Sequence, residues 1–491
     1  MRPASQKWLR ANCAFLFLLF LAFPSFCQDN YDYFVENKLK EKKAREVLKS
    51  NLEKQLASIS EDYNRTIEKD IIEKYEKRTE SLLLRVEGGH FLYGTDFNAY
   101  VEKIASEIFR ANPQLPKNEI NLMVSRYVSP NAACFGEGTI MINLGLLSRI
   151  RSEAELAFVI SHEIAHYILN HVNQNIKKNV LLVNDSGLKK QVRKISREDY
   201  GVNSKLTELL KEIIYDQSRY TRSQESQADS LGFIYLAKSS YATFGAVSCL
   251  NMLDSVDFDK FKSEIAFKEN FDSEKYPFKN RWLEEEENLF GSGEKFTFGI
   301  IADSLKSHPD CQDRISILSE DSSKLLINIQ NLYLQPKTAF ESLSKSADLE
   351  AVYSDFYFQR YGRSLYNALQ LLERDSTNAY LYGIVGASFA KIYEAQENHE
   401  LGKYLPMPSE EIQSESYKKL LVFVRNLRLK ELASLNFHYM DSKPAIYLDN
   451  EFFLYATAIA IKQFGNYNAY QSYKELYIQS FPNGNFISQF K

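Results

Sequence analysis

The chain has 491 residues, with 60 Lys and Arg against 64 Asp and Glu, giving a net charge of −4. That length suffices for two or three domains, and the near balance of charge leaves no basic footprint, which excludes nucleic acid as the main partner. Aromatic side chains make up 13% of the residues, so amphipathic contact surfaces are expected.

At the start, Arg2, Lys7 and Arg10 precede an unbroken apolar run from Cys13 to Phe23, and Ser25-Phe26-Cys27 offers a cleavage site. This reads as a signal peptide over 1–27 and an exported protein, periplasmic or secreted. The run is too short to span a bilayer as a stable helix, and no later segment approaches that length, so no transmembrane segment is expected after cleavage. A lipid anchor on Cys27 fits less well, because Phe26 stands where a small residue is wanted. Residues 28–90 read as a charged helical region. Glu36 to Leu56 is rich in Lys and Glu, with Leu48, Leu52 and Leu56 on one stripe, the pattern of a solvated helix packed by one edge. Gly88-Gly89 breaks that region, and Asn98 to Ala111 follows as a helix. Glu119 to Tyr127 alternates apolar and polar like a strand, and Thr139, Ile140, Met141, Ile142 and Asn143 make a second. An extended substrate adding to the edge of this second strand through main-chain hydrogen bonds would be recognised with little regard to its side chains.

Ser152-Glu153-Ala154-Glu155 reads as a capping box opening a helix. Apolar residues from Leu156 to Leu169 run nearly all round that helix, so it should be buried. Within it lies His162-Glu163-Ile164-Ala165-His166, in a chain with only 7 His. Two imidazoles four residues apart share one helical face, where a single zinc ion can take a nitrogen from each. Glu163 stands beside them as the general base that takes a proton from a zinc-held water. Two core histidines bonded to carbonyls would be the bland alternative.

A third ligand is required. Leu169 and Val172 stand where a metzincin has Gly and His, so that class is excluded. His171, five residues beyond His166, points away from the pair and reads as a polar group near a helix C-terminus. Downstream, Glu225 and Asp229 are four apart and project from one helical face. Glu225 can complete a two-His-one-Glu site, and Asp229 can accept the N–H of a ligand His. Alone, that acidic pair would equally suit a solvated face.

The helix with His162 and His166, followed by Glu225-Ser226-Gln227-Ala228-Asp229, resembles metallopeptidase family 48, the gluzincins that include the CAAX prenyl proteases, in its soluble exported form. Two further pieces, in the family's order, agree: Pro130 to Leu147 is similar to the family's Asn-Ala segment, edge strand and Gly-Leu-Leu, and Ser307-His308-Pro309-Asp310 with Arg314-Ile315 resembles its late motif. The likeness covers roughly residues 95–320. It implies an α+β, mostly helical fold, zincin-like, with a small sheet beside the His-Glu-x-x-His helix. It implies one zinc per chain on His162, His166 and Glu225, with Asp229 orienting a ligand His and Arg314 supporting the Glu225 region. His308 would lie close to the zinc water, as oxyanion stabiliser or as a removable extra ligand. Ser223, Ser226 and Asp313 depart from the family's usual residues without removing a ligand. Relative to compact members, residues 172–215 and about 255–300 look like insertions that would lid the cleft.

The expected division is a metallopeptidase domain over 91–325, a linker over 326–349 and an all-α domain over 350–491. Ser364 to Arg374 and Asn378 to Ala395 form a helical hairpin with a tetratricopeptide look, suited to a protein partner or to mere support of the enzyme. Phe437, Tyr439, Tyr447, Phe452, Phe453 and Tyr455 read as core. Cys134, Cys249 and Cys311 sit at no metal-ligand spacing. Together these features predict an exported zinc endopeptidase acting on unfolded or misfolded proteins, as in envelope quality control. The alternative is a chaperone-like binding protein in which proteolysis is rare.

Overall fold

A computed structural model describes residues 37–59, 63–196, 202–254, 260–261, 263–284, 311–324, 331–409 and 414–491. The expected signal peptide and His308 lie outside the described residues. Among the described residues no helix is long and apolar enough to cross a membrane.

The charged N-terminal region is a helical hairpin, α1 (Lys38–Ala57) and α2 (Arg65–Glu87). Asn37 and Asn64 cap the two helices by accepting hydrogen bonds from backbone N–H groups of the first turn. The hairpin is more than a solvated edge. Leu48 and Leu82 are buried against Met123 and Met141 of the sheet, and Ile71 and Tyr75 against Val180.

β1 (Phe91–Leu92), α3 (Asp96–Ala111), β2 (Asn121–Ser125), β3 (Ala132–Cys134) and β4 (Thr139–Asn143) follow. The four strands form one sheet in the order β1-β2-β4-β3. β4 pairs with β2 in parallel, Met123 opposite Met141, and with β3 antiparallel, Ala133 opposite Met141. Every residue of β4 is buried. The expectation that Thr139, Ile140, Met141, Ile142 and Asn143 offer a free edge to substrate is therefore corrected. Both edges of that strand are consumed by its neighbours, and the free edge on this side belongs to β3.

Helices α4 (Glu153–Ile168), α5 (His171–Asn184), α6 (Ser186–Ile195), α7 (Val202–Lys238), α8 (Phe244–Asp254) and α9 (Cys311–Lys324) complete the first half. Its core joins the sheet, α3, α4, α7 and α8 through Ile104, Ile108, Ile140, Ile142, Leu156, Ile160, Phe233 and Leu250. The second half contains α10 (Lys337–Tyr357), α11 (Tyr361–Leu372), α12 (Ala379–Glu397), α13 (Glu415–Asn426), α14 (Leu429–Asp441), α15 (Glu451–Phe464) and α16 (Tyr467–Ser480). The hairpin expected around Asp375 is α11 and α12. Tyr439, Tyr447, Phe452, Phe453 and Tyr455 are core residues, and Phe437 packs against that core.

Two expectations about the connections change. The stretch expected as a linker becomes, from Lys337 on, the first part of α10. That helix puts Phe340, Leu343 and Ala347 into the first core, and Leu349 and Val352 into the second. Its Glu350 forms a buried ion pair with Arg126, which follows β2. The segment expected to lid the cleft instead crosses, over residues 263–284, to the second half. Phe267 packs tilted against Phe423 and Phe271 stacks on it, with ring centroids 5.0 and 5.3 Å apart, and Trp282 is completely buried. Apolar area decides this: three large side chains gain more against a hydrophobic core than over a polar cleft.

Candidate metal centre

Ser152 opens α4, its hydroxyl accepting the Glu155 N–H at 3.2 Å. The expected box is half made. Glu155 reaches one residue further back and takes the Arg151 N–H at 2.6 Å. From Glu153 to Ala165 every residue of α4 is buried, as its unbroken apolar circumference requires.

α7 crosses α4 at Gly232. A Cβ at Gly232 would stand 2.9 Å from both the Cα and the N of His162, so only glycine lets the two backbones come this close. Glu225, Asp229 and Gly232 follow the i, i+4, i+7 spacing and lie along one face of α7. The close crossing thus delivers both carboxylates to the histidine pair.

The result is a compact trio. His162 Nε2 lies 3.0 Å from His166 Nε2, Glu225 Oε1 lies 3.4 Å from His166 Nε2, and Glu225 Oε2 lies 3.6 Å from His162 Nε2. A tetrahedral ion held at about 2.1 Å by each ligand would set those separations at about 3.4 Å. Buried Glu225 Oε2 has no hydrogen bond within the protein, as expected of an atom whose partner is an ion. The donor set of two imidazole nitrogens and one carboxylate therefore fits a divalent metal, and these three residues form the one such cluster among the described residues.

Asp229 lies behind the trio, its Oδ1 3.0 Å from His162 Nδ1. Arg314 donates to it through both Nε, at 2.6 Å, and Nη2, at 2.7 Å. Its Nη2 also lies 3.5 Å from Glu225 Oε2. Arg314 is thus a buried fork joining α9 to both acidic residues of α7, the neighbourhood that the sequence resemblance implied.

Electrostatics sort the protons. Burial alone would lower the pKa of His162, but Asp229 and Glu225 outweigh it and raise the value to about 10. Burial, then the charge on His162, pushes His166 down to about 3. Burial would raise Glu225, yet His162, His166 and Arg314 hold it below the usual carboxylate range. Glu163 is pushed up to about 7, first by burial and further by Glu225, against the opposing pull of His162 and a backbone hydrogen bond from Cys134 of β3. A cavity of about 30 Å³ opens beside it, lined by Ala132, Val159, His162, Leu250 and Arg314 among others, with room for a water molecule.

His171 departs from the sequence reading. Its Nδ1 lies 3.0 Å from His166 Nδ1 and its Nε2 3.2 Å from Gln227 Oε1. α4 does not continue to residue 171. Asn170 adopts a left-handed conformation, φ 57°, which ends one helix and starts the next, and the turn swings His171 back onto the ligand pair. An Asn in this position is a legible signal, since Asn enters the left-handed region several-fold more readily than most residues.

Residues 95–322 match the model of peptidase family M48. The mitochondrial metalloendopeptidase OMA1 of Arabidopsis thaliana is 32% identical over 111 residues, 23% of this chain and 21% of that protein. A putative beta-barrel assembly-enhancing protease of Vibrio cholerae is 26% identical over 149 residues, 29% of this chain and 30% of the relative. The chain thus spans less than a third of the length of either relative.

Proposed function

We propose that the peptidase family M48 domain carried over residues 95–322 is a zinc-dependent endopeptidase that hydrolyses peptide bonds in protein substrates. The observation that carries this reading is the spacing of His162, His166 and Glu225, which suits one tetrahedral ion, with Glu163 at its side. Bound there, zinc would polarise a peptide carbonyl and acidify a water molecule. Glu163 takes the proton from the attacking water and passes it to the leaving amine nitrogen. Its raised pKa suits both steps, because a carboxyl near neutrality accepts and releases protons with similar ease. Asp229, backed by Arg314, fixes the ring of His162. Substrate lies along β3, the outermost strand on this side among the described residues, whose Cys134 backbone reaches Glu163. His308 stabilises the oxyanion or gates the site.

We assign the enzyme to an exported pool that acts on unfolded proteins of the envelope. The basic and apolar start of the chain supports export, and the name of the Vibrio cholerae relative supports an envelope setting. The helical second half built around its own core is the part of the chain through which a protein partner would be held.

Glu163→Gln tests the chemistry. The variant is expected to keep its zinc, measured by atomic absorption after gel filtration, and to digest unfolded casein at least about 10²-fold more slowly. Chelation with 1,10-phenanthroline should silence the parent, and added zinc should restore it. Digestion by Glu163→Gln at the parental rate would remove Glu163 from the mechanism.

A further inference from the structure

We propose that His171 and Gln227 set the tautomer of His166, so that His166 presents Nε2, and not Nδ1, as its metal-binding atom. This rests on the zinc-site reading above and extends it to two residues beyond the ligands and the Asp229–Arg314 pair.

The three side chains form a line. Gln227 Oε1 lies 3.2 Å from His171 Nε2, and His171 Nδ1 lies 3.0 Å from His166 Nδ1. His166 Nε2, on the far side of its ring, faces Glu225 Oε1 at 3.4 Å and His162 Nε2 at 3.0 Å. The amide oxygen of Gln227 can only accept, so His171 Nε2 must donate. A neutral imidazole that donates through Nε2 can only accept through Nδ1. His166 must therefore donate through Nδ1, and its remaining lone pair sits on Nε2, where a ligand must be deprotonated to bind a metal. Running the line backwards would place the proton of His166 on Nε2 and block ligation.

The surroundings keep the line in place. His171 itself is 2% exposed, and its Nδ1 faces His166 inside the site, while Gln227 at the outer end of the line is exposed. The left-handed Asn170 holds it at the first position of α5. Gln224 Nε2 reaches the His171 carbonyl at 3.5 Å, and Gln224 Oε1 accepts from Asn175 Nδ2 at 2.8 Å, so Gln224 of α7 holds the first turn of α5 at His171 and Asn175. His162 has its own orienting carboxylate in Asp229. Among the described residues His166 has none at its Nδ1, and the neutral His171–Gln227 pair fills that role without adding charge.

The test is zinc affinity, measured by competition with a chromophoric chelator on the full-length protein, with the melting temperature of the metal-free protein as a control for packing. His171→Leu should weaken zinc about 10–100-fold, the usual effect of losing a group that orients a ligand. His171→Asn, whose side-chain oxygen can accept from His166 Nδ1, should recover most of that loss. Gln227→Glu, an acceptor only, should bind within a few-fold of the parent, whereas Gln227→Met should be measurably weaker. His171→Leu binding as tightly as the parent would overturn the proposal. So would His171→Asn as weak as His171→Leu at an equal metal-free melting temperature. A parent that binds no zinc would instead sink the metal-site reading, and the proposal with it.

Discussion

A single proton separates the metal-free site from the loaded one. His162 stands 3.0 Å from Asp229 and within 3.6 Å of Glu225, and these carboxylates hold its proton up to a pKa of about 10 despite burial. On the zinc-site reading, the metal would displace that proton on reaching Nε2. Uptake at pH 7 is therefore expected to release close to one proton per ion. Apparent affinity should climb about tenfold per pH unit as pH rises toward 10, because the competing proton becomes scarcer. Calorimetry in buffers of different ionisation enthalpy measures the release directly, and a value near zero would contradict the proton assignment. At this scale the sequence was informative wherever spacing decides geometry. His162 and His166, four apart, did meet, as did Glu225 and Asp229. His171 was misread because a one-residue change of backbone hand at Asn170 alters the direction of everything after it.

Between elements, the crossing of α4 and α7 holds the site together. Gly232 is its contact point, with the backbone of His162 within 2.9 Å of any added Cβ. Gly232→Ala should push α7 outward and draw Glu225 away from the histidine pair. The expected cost is about 1–3 kcal/mol in urea unfolding, together with weaker zinc binding at sites that a surface glycine would not affect. Unchanged zinc affinity would mean that the crossing does not position Glu225. A glycine inside a 37-residue helix hints at such a close approach, but the sequence does not say which helix comes near. The sheet shows the same limit. Thr139 to Asn143 was legible as a strand, yet only pairing order reveals that both of its edges are taken and that β3 lies outermost.

Across the whole molecule, α10 and the 263–284 segment tie the two halves together. Arg126 and Glu350, 3% and 0% exposed, form an ion pair where the cores meet, and the Arg126 guanidinium also lies 5.7 Å from the rings of Tyr353 and Tyr357. Glu350→Ala would remove the carboxylate of a buried ion pair and is expected to cost about 3–5 kcal/mol. Chemical denaturation followed by tryptophan fluorescence reports this well, since Trp282 belongs to the second core. A loss below 1 kcal/mol would show that this ion pair does little to join the halves. The same tie explains why a linker was expected. Residues between two apolar stretches look like a connection in one dimension, although here they belong to both cores.

The amino-acid sequence by itself determined the local objects: which stretches are helices, which faces are apolar, and the pairs His162–His166 and Glu225–Asp229. These follow from periods of a few residues, which the backbone enforces whatever the rest of the chain does. The tertiary structure alone decided the meetings. It brought α7 against α4 at Gly232, set Arg314 between two acids, turned His171 onto His166, left β3 as the free edge and carried Phe267, Phe271 and Trp282 into the second core. Contacts between residues tens of positions apart depend on how all the apolar surfaces are buried at once, and no short window of sequence contains that information.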